Sequence, residues 1–208
     1  MYVSFDLFGT LITASRPADP AAAVADELAA RGVRVPDAWD EAYREPHFSV
    51  EPGREYALPE HVLAALDSRG VAAPRDIVVE AVTAAFDGDV ETRPGARAAV
   101  EAAAAEGRVG VLSNCSVPGL VERTLAASDL SMGRFDAVVA SVDCGWRKPD
   151  QRAFAAVADA LGGSVPSLVH VGDDPETDGG LADAGGTPVL VAETPLSGVP
   201  DRLEGISC

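Results

Sequence analysis

Hydrophobic residues occur along this chain in short continuous runs, which alternate with longer stretches whose apolar positions lie three and four residues apart. A short apolar run bounded by turn residues predicts a buried strand, and the three- and four-residue spacing predicts a helix with one apolar face. Alternation of the two is typical of an α/β protein with a parallel sheet covered by helices. The predicted strands are residues 2–8, 108–112, 137–141, 168–171 and 188–191.

Each strand after the first is preceded by a predicted helix. Pro94 lies near the start of the first of these helices, and Gly107, Gly162 and Gly185 lie near the ends of three, as is common at helix boundaries. The predicted helices are residues 94–106, 118–127, 151–161 and 177–184.

The first two strands are separated by about a hundred residues, far more than a single crossover helix requires. Four short stretches with helical periodicity lie in that gap, at residues 20–31, 37–43, 60–69 and 75–86. Residues 45–59 are punctuated by Pro and Gly, which predicts a loop. We therefore expect a catalytic core of residues 1–13 and 93–208 and a small helical insert of residues 14–92.

Composition narrows the range of partners. The chain has 208 residues, 47% of them hydrophobic, which suits one well-buried domain with a small insert. Its net charge of −17 argues against nucleic acid or an anionic membrane as a partner, because both require a positive surface. Such acidity indicates a solvated surface and would suit a salt-rich cytoplasm.

The cysteines and the N-terminus indicate the compartment. Cys115, Cys144 and Cys208 are odd in number and lack a metal-ligand spacing, which favours a reducing environment. No stretch has the length of a membrane span, and Asp6 interrupts the apolar N-terminal run, so we expect neither a membrane segment nor a signal peptide. The expected location is the cytoplasm.

Residues whose side chains can bind ligands or take part in a reaction lie at the carboxyl ends of the predicted strands, where ligands gather in parallel α/β sheets. Asp6 belongs to the first strand, which leads into a turn with Gly9 and Thr10. The later strands and the loops after them contribute Ser113, Asn114, Lys148, Asp173, Asp174 and Asp178. We expect a carboxylate, a hydroxyl, an ammonium group and an acid cluster to meet at one edge of the sheet.

This set of side chains is chemically coherent. Asp6 and Asp173 can hold Mg²⁺, which prefers oxygen ligands. Ser113 can donate a hydrogen bond to a phosphoryl oxygen, and Lys148, the single lysine among 16 basic residues, can neutralise negative charge. Asp6 can then attack phosphorus as a covalent nucleophile.

Four segments, FDLFGTL, VLSN, WRKPD and VGDDPETDGGLADAGG, resemble in order and spacing the four motifs of the haloacid dehalogenase superfamily. The resemblance spans nearly the whole chain apart from the insert, whose place corresponds to the family's helical cap. It implies a Rossmann-like, doubly wound parallel sheet core. It also implies a cap, here residues 14–92, that closes over the site and selects the substrate.

The resemblance further implies roles for individual residues. These are Asp6 as nucleophile and metal ligand, the main-chain carbonyl of Phe8 as a metal ligand, Ser113 and Lys148 on the phosphoryl group, and Asp173 and Asp178 around Mg²⁺. Thr10 either stabilises the turn or contacts phosphate. Asn114 either caps the next helix or binds substrate.

Phe8 stands where the family's phosphatases usually have a second Asp, which protonates the leaving alkoxide and later activates water. Haloacid dehalogenases of the same superfamily carry an aromatic residue at this position, and their second motif resembles the LSNCS segment found here. They need no metal, however, and their fourth motif typically lacks the acidic pair, whereas this chain keeps VGDD and Asp178. An acid cluster beside Asp6 would repel itself without a cation, so the fourth motif favours Mg²⁺.

We therefore expect a Mg²⁺-dependent hydrolase, a phosphatase that acts on a small-molecule phosphate through an aspartyl-phosphate on Asp6. With Phe8 in place of the general acid, leaving groups that need little protonation should be favoured, unless a residue of the insert such as His47 donates the proton. One alternative is a metal-independent 2-haloacid dehalogenase. Another is a protein that binds a phosphorylated ligand without turnover. The sequence does not indicate the oligomeric state.

Overall fold

A five-stranded parallel sheet forms the centre of the protein in the computed structural model, which describes residues 1–49 and 51–207. Cys208, one of the three cysteines, lies outside the described residues. The sheet has the strand order β5-β4-β1-β6-β7. Its strands are β1 (Tyr2–Phe5), β4 (Arg108–Ser113), β5 (Ala137–Ala140), β6 (Leu168–Gly172) and β7 (Thr187–Leu190).

The strand order explains why one edge of the sheet collects the functional side chains. The chain runs outward from β1 through β4 to β5, and then crosses to the other side of β1 to form β6 and β7. Phe5 of β1 therefore pairs with Val111 of β4 on one side and with Val171 of β6 on the other. Ligands of open α/β sheets bind where the strand order reverses, at the carboxyl ends of these three strands.

Helices cover both faces of the sheet, as expected for a doubly wound fold. Alternate positions of β4 point to opposite faces: Val111 belongs to the larger buried cluster, whereas Leu112 packs with Phe154 in a smaller one. The covering helices are α5 (Ala96–Glu106), α6 (Leu120–Ala127), the short α7 (Ser141–Cys144), α8 (Gln151–Ala160) and α9 (Val199–Ser207). No helix of the described residues is long and apolar enough to cross a membrane.

Four helices fill the long gap after β1. They are α1 (Pro20–Ala30), α2 (Trp39–Arg44), α3 (Leu58–Asp67) and α4 (Arg75–Ala85). The chain leaves and re-enters the core through a two-stranded antiparallel ribbon, β2 (Ile12–Ala14) and β3 (Val90–Thr92), in which Ile12 pairs with Thr92. The ribbon lies at the predicted boundaries of the insert, although the assignment of residues 14–92 as a separate cap stays a prediction.

The loop before α3 is attached to the core. The amide of Glu55 donates to the carbonyl of Gly145, and the amide of Arg147 donates to the carbonyl of Gly53. Arg54 and Trp146 form an isolated antiparallel bridge, and the Arg54 guanidinium lies 4.8 Å from the centre of the Trp146 ring. These contacts link the inserted region to the loop that carries Lys148.

Two predicted elements differ from the structure. The predicted helix 177–184 is wrong, because this segment holds only a single 3₁₀ turn, Gly179–Leu181. The glycine pair at positions 179 and 180 disfavours a regular helix, and the loop instead folds around Asp178. The first strand ends at Phe5 rather than at residue 8, because the chain turns at Leu7, whose carbonyl accepts from amides four and five residues later, and Gly9 inside this turn has a φ of 97°.

Candidate active site

Asp6 follows β1 directly, at the centre of the carboxyl edge of the sheet. Its amide donates a hydrogen bond to the carbonyl of Val171 on β6, which fixes the main chain at this point. The residue is 7% exposed, and its Oδ1 accepts a hydrogen bond from Nζ of Lys148 at 2.8 Å. Among the described residues no group donates to its Oδ2, which leaves that oxygen free to react.

Lys148 connects two carboxylates. Its Nζ donates to Oδ1 of Asp6 at 2.8 Å and to Oδ1 of Asp178 at 2.5 Å, and the residue is only 2% exposed. Burial alone would lower the pKa of this ammonium group, but the two carboxylates outweigh burial and raise it above its ordinary value. Lys148 is therefore a permanent buried cation in the site.

Asp178 is held by donors on both of its oxygens. Oδ1 accepts from Lys148 and from Nε2 of His170 at 3.0 Å, and Oδ2 accepts from the amide of Asp174 at 3.0 Å. Burial would raise the pKa of Asp178, but the His170 hydrogen bond and the Lys148 charge together hold it below its usual range. Asp178 is therefore ionised and can only accept hydrogen bonds.

His170 and Ser4 lie beneath this pair, both fully buried. Because the Asp178 carboxylate only accepts, Nε2 of His170 carries the proton, and Nδ1 accepts from the Ser4 hydroxyl at 2.8 Å. Burial, and next the charge of Lys148, lower the pKa of His170 to about 4. His170 is thus a neutral imidazole that donates a hydrogen bond to Asp178, the partner of Lys148.

Asp6 has an unusual acidity in this environment. Burial is the largest effect and raises its pKa to about 6, assisted by the negative charges of Asp178 and Asp173 and opposed by Lys148. Because burial is the main cause, the raised pKa chiefly reflects the cost of an ionised carboxylate in a buried site.

Asp173 completes the acid cluster. One carboxylate oxygen from each of Asp6, Asp173 and Asp178 lies within 4.8 Å of the others. The Thr10 hydroxyl donates to Oδ1 of Asp173 at 2.9 Å, so Thr10 orients this acid in the structure. Gly9 makes the approach possible, because a Cβ at that position would lie 2.5 Å from Oδ2 of Asp173.

Ser113 is the last residue of β4, next to the central strand β1 that leads to Asp6, and Asn114 follows it. The Ser113 hydroxyl is buried and has no hydrogen-bond partner within the described chain, which is costly unless a ligand supplies one. Asn114 accepts from the amide of Lys148 at 2.8 Å and donates to its carbonyl at 3.0 Å. Asn114 therefore holds the Lys148 loop, whereas its predicted contact with substrate stays a prediction.

Phe8 occupies the position two residues after Asp6, with its ring partly buried against the apolar core. The guanidinium of Arg16 lies over this ring, 5.1 Å from its centre. No carboxylic acid stands in the place of a proton donor here. The main-chain carbonyl of Phe8 as a metal ligand stays a prediction.

Two histidines of the insert are bound to its own backbone. Nε2 of His47 lies 2.7 Å from the carbonyl oxygen of Ala42, and Nε2 of His61 lies 2.6 Å from that of Tyr43. The two rings contact each other with centres 5.2 Å apart. In this arrangement Nε2 of His47 is engaged inside the insert, which weakens the idea that it supplies a missing proton.

The sequence interpretation missed two contributions to the site. From the sequence, His170 is interpreted as a core residue of a strand. The only indication of a role in the site is its position in an apolar run immediately before the VGDD segment. Arg16 had no signal beyond its closeness to FDLFGTL, because its contact with Phe8 depends on the turn and on the β2 ribbon.

Solved structures of other proteins share the fold of this chain. A 2-haloacid dehalogenase from Pseudomonas syringae pv. Tomato DC3000 has a similar structure, with a TM-score of 0.67, 23% identity, and coverage of 99% of this chain and 98% of that one. A predicted phosphoglycolate phosphatase from Haemophilus somnus 129pt gives a TM-score of 0.55 at 16% identity, with coverage of 99% and 97%. The L-2-haloacid dehalogenase from Xanthobacter autotrophicus gives 0.55 at 20% identity, with coverage of 100% and 84%.

These likenesses establish the fold, and none of them exceeds 25% identity. A search of curated protein sequences gave no match. A family model described as haloacid dehalogenase-like hydrolase matches residues 1–185, which is most of the 208 residues, and the chain therefore belongs to that family of hydrolases.

Proposed function

We propose that the protein is a Mg²⁺-dependent phosphatase that hydrolyses a small-molecule phosphate through a covalent intermediate on Asp6. The observation that carries this proposal is the convergence of carboxylate oxygens from Asp6, Asp173 and Asp178 within 4.8 Å. Three carboxylates beside one lysine carry an excess of two negative charges, which a divalent cation would balance.

The donor set fits Mg²⁺. All candidate ligands are hard oxygens, which this ion prefers, and it is usually held by one or two carboxylates together with water and substrate phosphate. Asp6 and Asp173 are the better candidates for direct ligands, because both oxygens of Asp178 already accept hydrogen bonds. When bound, Mg²⁺ would supply neutralisation of charge at the phosphoryl oxygens.

The side chains of this protein account for the remaining chemistry. Oδ2 of Asp6 attacks phosphorus, and the bond from phosphorus to the leaving oxygen breaks. Lys148 holds Oδ1 of Asp6 in place and offsets charge, and the unpartnered hydroxyl of Ser113 donates to a phosphoryl oxygen. Water then hydrolyses the acyl phosphate, which releases inorganic phosphate and restores Asp6.

Phe8 limits which phosphates can be substrates. An alkoxide leaving group needs a proton, and a positioned general acid typically contributes about 10²–10⁴ in rate. The Phe8 ring cannot provide that proton. Aryl or acyl phosphates, whose leaving groups are stable anions, should therefore react faster than alkyl phosphates.

The test is the release of p-nitrophenol from p-nitrophenyl phosphate at about pH 7.5, where Asp6 is ionised. Activity should require added Mg²⁺, should disappear in EDTA, and should be absent from the Asp6→Asn variant. Because Asn keeps the shape of the side chain, the comparison isolates the nucleophile. Equal rates for the two proteins, or stoichiometric binding of phosphate with no product, would reject the phosphatase and favour a binding protein.

Metal-independent dehalogenation of a 2-haloacid is the second candidate, and Phe8 is the observation that favours it. Halide leaves without a proton, so an aromatic residue in place of the acid carries no penalty in that reaction. The L-2-haloacid dehalogenase of Xanthobacter autotrophicus shares the fold. Halide release from 2-chloropropionate in EDTA, lost on Asp6→Asn substitution, would support this activity and exclude the metal-dependent one as the main function.

A further inference from the structure

We infer that a pocket beside Phe8 binds the leaving group of the substrate, and that this leaving group carries a carboxylate recognised by Arg16 and Arg123. The inference rests on the proposed function, since it names the substrate class of the same site. A small phosphate ester of an aromatic or similarly sized apolar hydroxy acid is the class that fits.

The pocket borders the candidate site through two of its lining residues. It has a volume of about 150 Å³ and is bounded by Phe8, two residues from the nucleophile, and by Asn114, which is adjacent to Ser113. Phe86 and Leu120 add apolar walls. An apolar cavity of about this volume accommodates a benzene ring, so the pocket suits one ring or a short branched chain.

The charges around the pocket indicate the kind of ligand. Arg16 and Arg123 both line it, and neither forms an ion pair with another described residue. Asp87, on the segment that re-enters the core, is the acid among the lining residues. Two arginines against one acid are notable in a chain with 33 acidic and 16 basic residues, and they indicate an anionic ligand.

Arg16 contacts the residue that stands two positions after Asp6. Its guanidinium stacks on the Phe8 ring at 5.1 Å from the centre, so the ring that replaces the general acid also holds a cation at the pocket. A guanidinium binds a carboxylate through two parallel hydrogen bonds, which specifies orientation as well as charge. The pocket therefore combines an aromatic wall with a carboxylate receptor.

Matched substrates test this inference. Phenyl phosphate and 4-carboxyphenyl phosphate differ only in the carboxylate, and kcat/KM should favour the second by about tenfold, mainly through KM. Arg16→Gln and Arg123→Gln should each reduce that preference several-fold, and Arg16→Lys should retain part of it. Arg134→Gln, an exposed arginine outside this pocket, is the control and should keep the preference of the native protein.

A binding experiment separates failure of this inference from failure of the proposed function. Thermal stabilisation of the Asp6→Asn variant by 4-hydroxybenzoate requires no turnover, and phenol is the matched neutral ligand. Stabilisation by 4-hydroxybenzoate that is lost with Arg16→Gln supports the pocket even if every phosphate proves inert. Equal stabilisation by the two ligands, no stabilisation by 4-hydroxybenzoate, or insensitivity to both arginine substitutions would overturn the inference.

Discussion

Lys148 and Asp6 form a buried ion pair, with Nζ and Oδ1 2.8 Å apart, at the point where the central strand of the sheet ends. The same Nζ also contacts Asp178, so one ammonium group offsets two carboxylates from different parts of the chain. The arrangement explains why a sequence that otherwise uses arginine has a lysine at this position. A compact ammonium group is a point charge with three rotatable donors and can contact both oxygens at once.

Replacing this cation should damage stability as well as activity. Lys148→Met leaves two buried carboxylates without their partner, and removal of one member of a buried ion pair typically costs about 3–5 kcal/mol. Protonation of Asp6 will recover part of this loss. Urea denaturation in EDTA near pH 7.5 measures the change in the free energy of unfolding.

Arg147→Met is the matched control for that experiment. The neighbouring Arg147 side chain is 53% exposed and lies 4.0 Å from Glu55, so its loss should change the stability by only about 0.5 kcal/mol. If the two variants unfold at the same urea concentration, the buried pair contributes nothing to stability, and the electrostatic description of the site is wrong.

A glycine comparison tests the position of Asp178. In Gly172→Ala the new Cβ would lie 2.1 Å from Cγ of Asp178, so the carboxylate must move away from Lys148 and His170. A displacement of about 1 Å at a catalytic centre can cost about 10²-fold in rate, and we expect a loss of that order in hydrolase activity. Steady-state kinetics on the best substrate provides the measurement.

Gly179→Ala provides the control within the same loop. A Cβ at Gly179 meets nothing within 4 Å, so this variant should keep its activity. Similar activity of the two variants would show that Asp178 does not need its present position.

Much of the fold could be predicted because its strands and helices produce recognisable spacings of apolar residues in the sequence. The strands β4, β5 and β6 are largely apolar runs, and their predicted bounds differ from the observed ones by one residue at most. The short ribbon of β2 and β3 was not predicted, because three-residue strands have too few positions to show a period. The helix predicted over 177–184 failed because Asp178 is held by side-chain contacts with Lys148 and His170, which local propensity does not include.

The candidate site could be predicted only in part, for a similar reason. Asp6 lies in the first predicted strand, and Ser113 and Lys148 lie after the predicted strands 108–112 and 137–141, so the parallel sheet alone brings them to one edge. The partners of those residues depend on side-chain contacts over long sequence separations. The bond between His170 and Ser4, 166 positions apart, has no local signature. The same holds for the pairing of Thr10 with Asp173.

The stability of the metal-free protein should depend on pH through two groups, His170 and Asp6, whose contributions change with pH in opposite directions. His170 has its pKa lowered from 6.5 to about 4, first by burial and then by Lys148, so between these values the unfolded chain holds a proton that the folded chain lacks. Its contribution to stability therefore rises with pH. Asp6 has its pKa raised from 3.8 to about 6, chiefly by burial, so its contribution falls as pH rises over that range.

Substitution of one of these two residues should reveal the pH dependence of stability that the other one causes. In Asp6→Asn the free energy of unfolding should increase between about pH 5 and 6.5 more steeply than in the native protein, because only the His170 contribution remains. In His170→Gln the same interval should show a flat or falling curve. Urea titrations in EDTA give these curves directly, and parallel curves for the three proteins would contradict the assignment of both groups.

The most direct test of the Phe8 interpretation is to restore a proton donor. In Phe8→Asp the carboxyl group stands two residues after Asp6, where, under the proposed function, it can protonate a leaving alkoxide. The ratio of kcat/KM for glycerol phosphate to that for p-nitrophenyl phosphate should rise by about 10²-fold, the lower end of the usual contribution of a general acid. Phe8→Asn is the matched control, because it removes the same ring and the same contact with Arg16 without adding an acid. Both variants lose the packing of the ring, so a difference between them in this ratio reports proton transfer alone. If Asp and Asn change the ratio equally, a missing proton donor does not limit alkyl phosphate turnover, and the position of Phe8 governs access to the pocket instead.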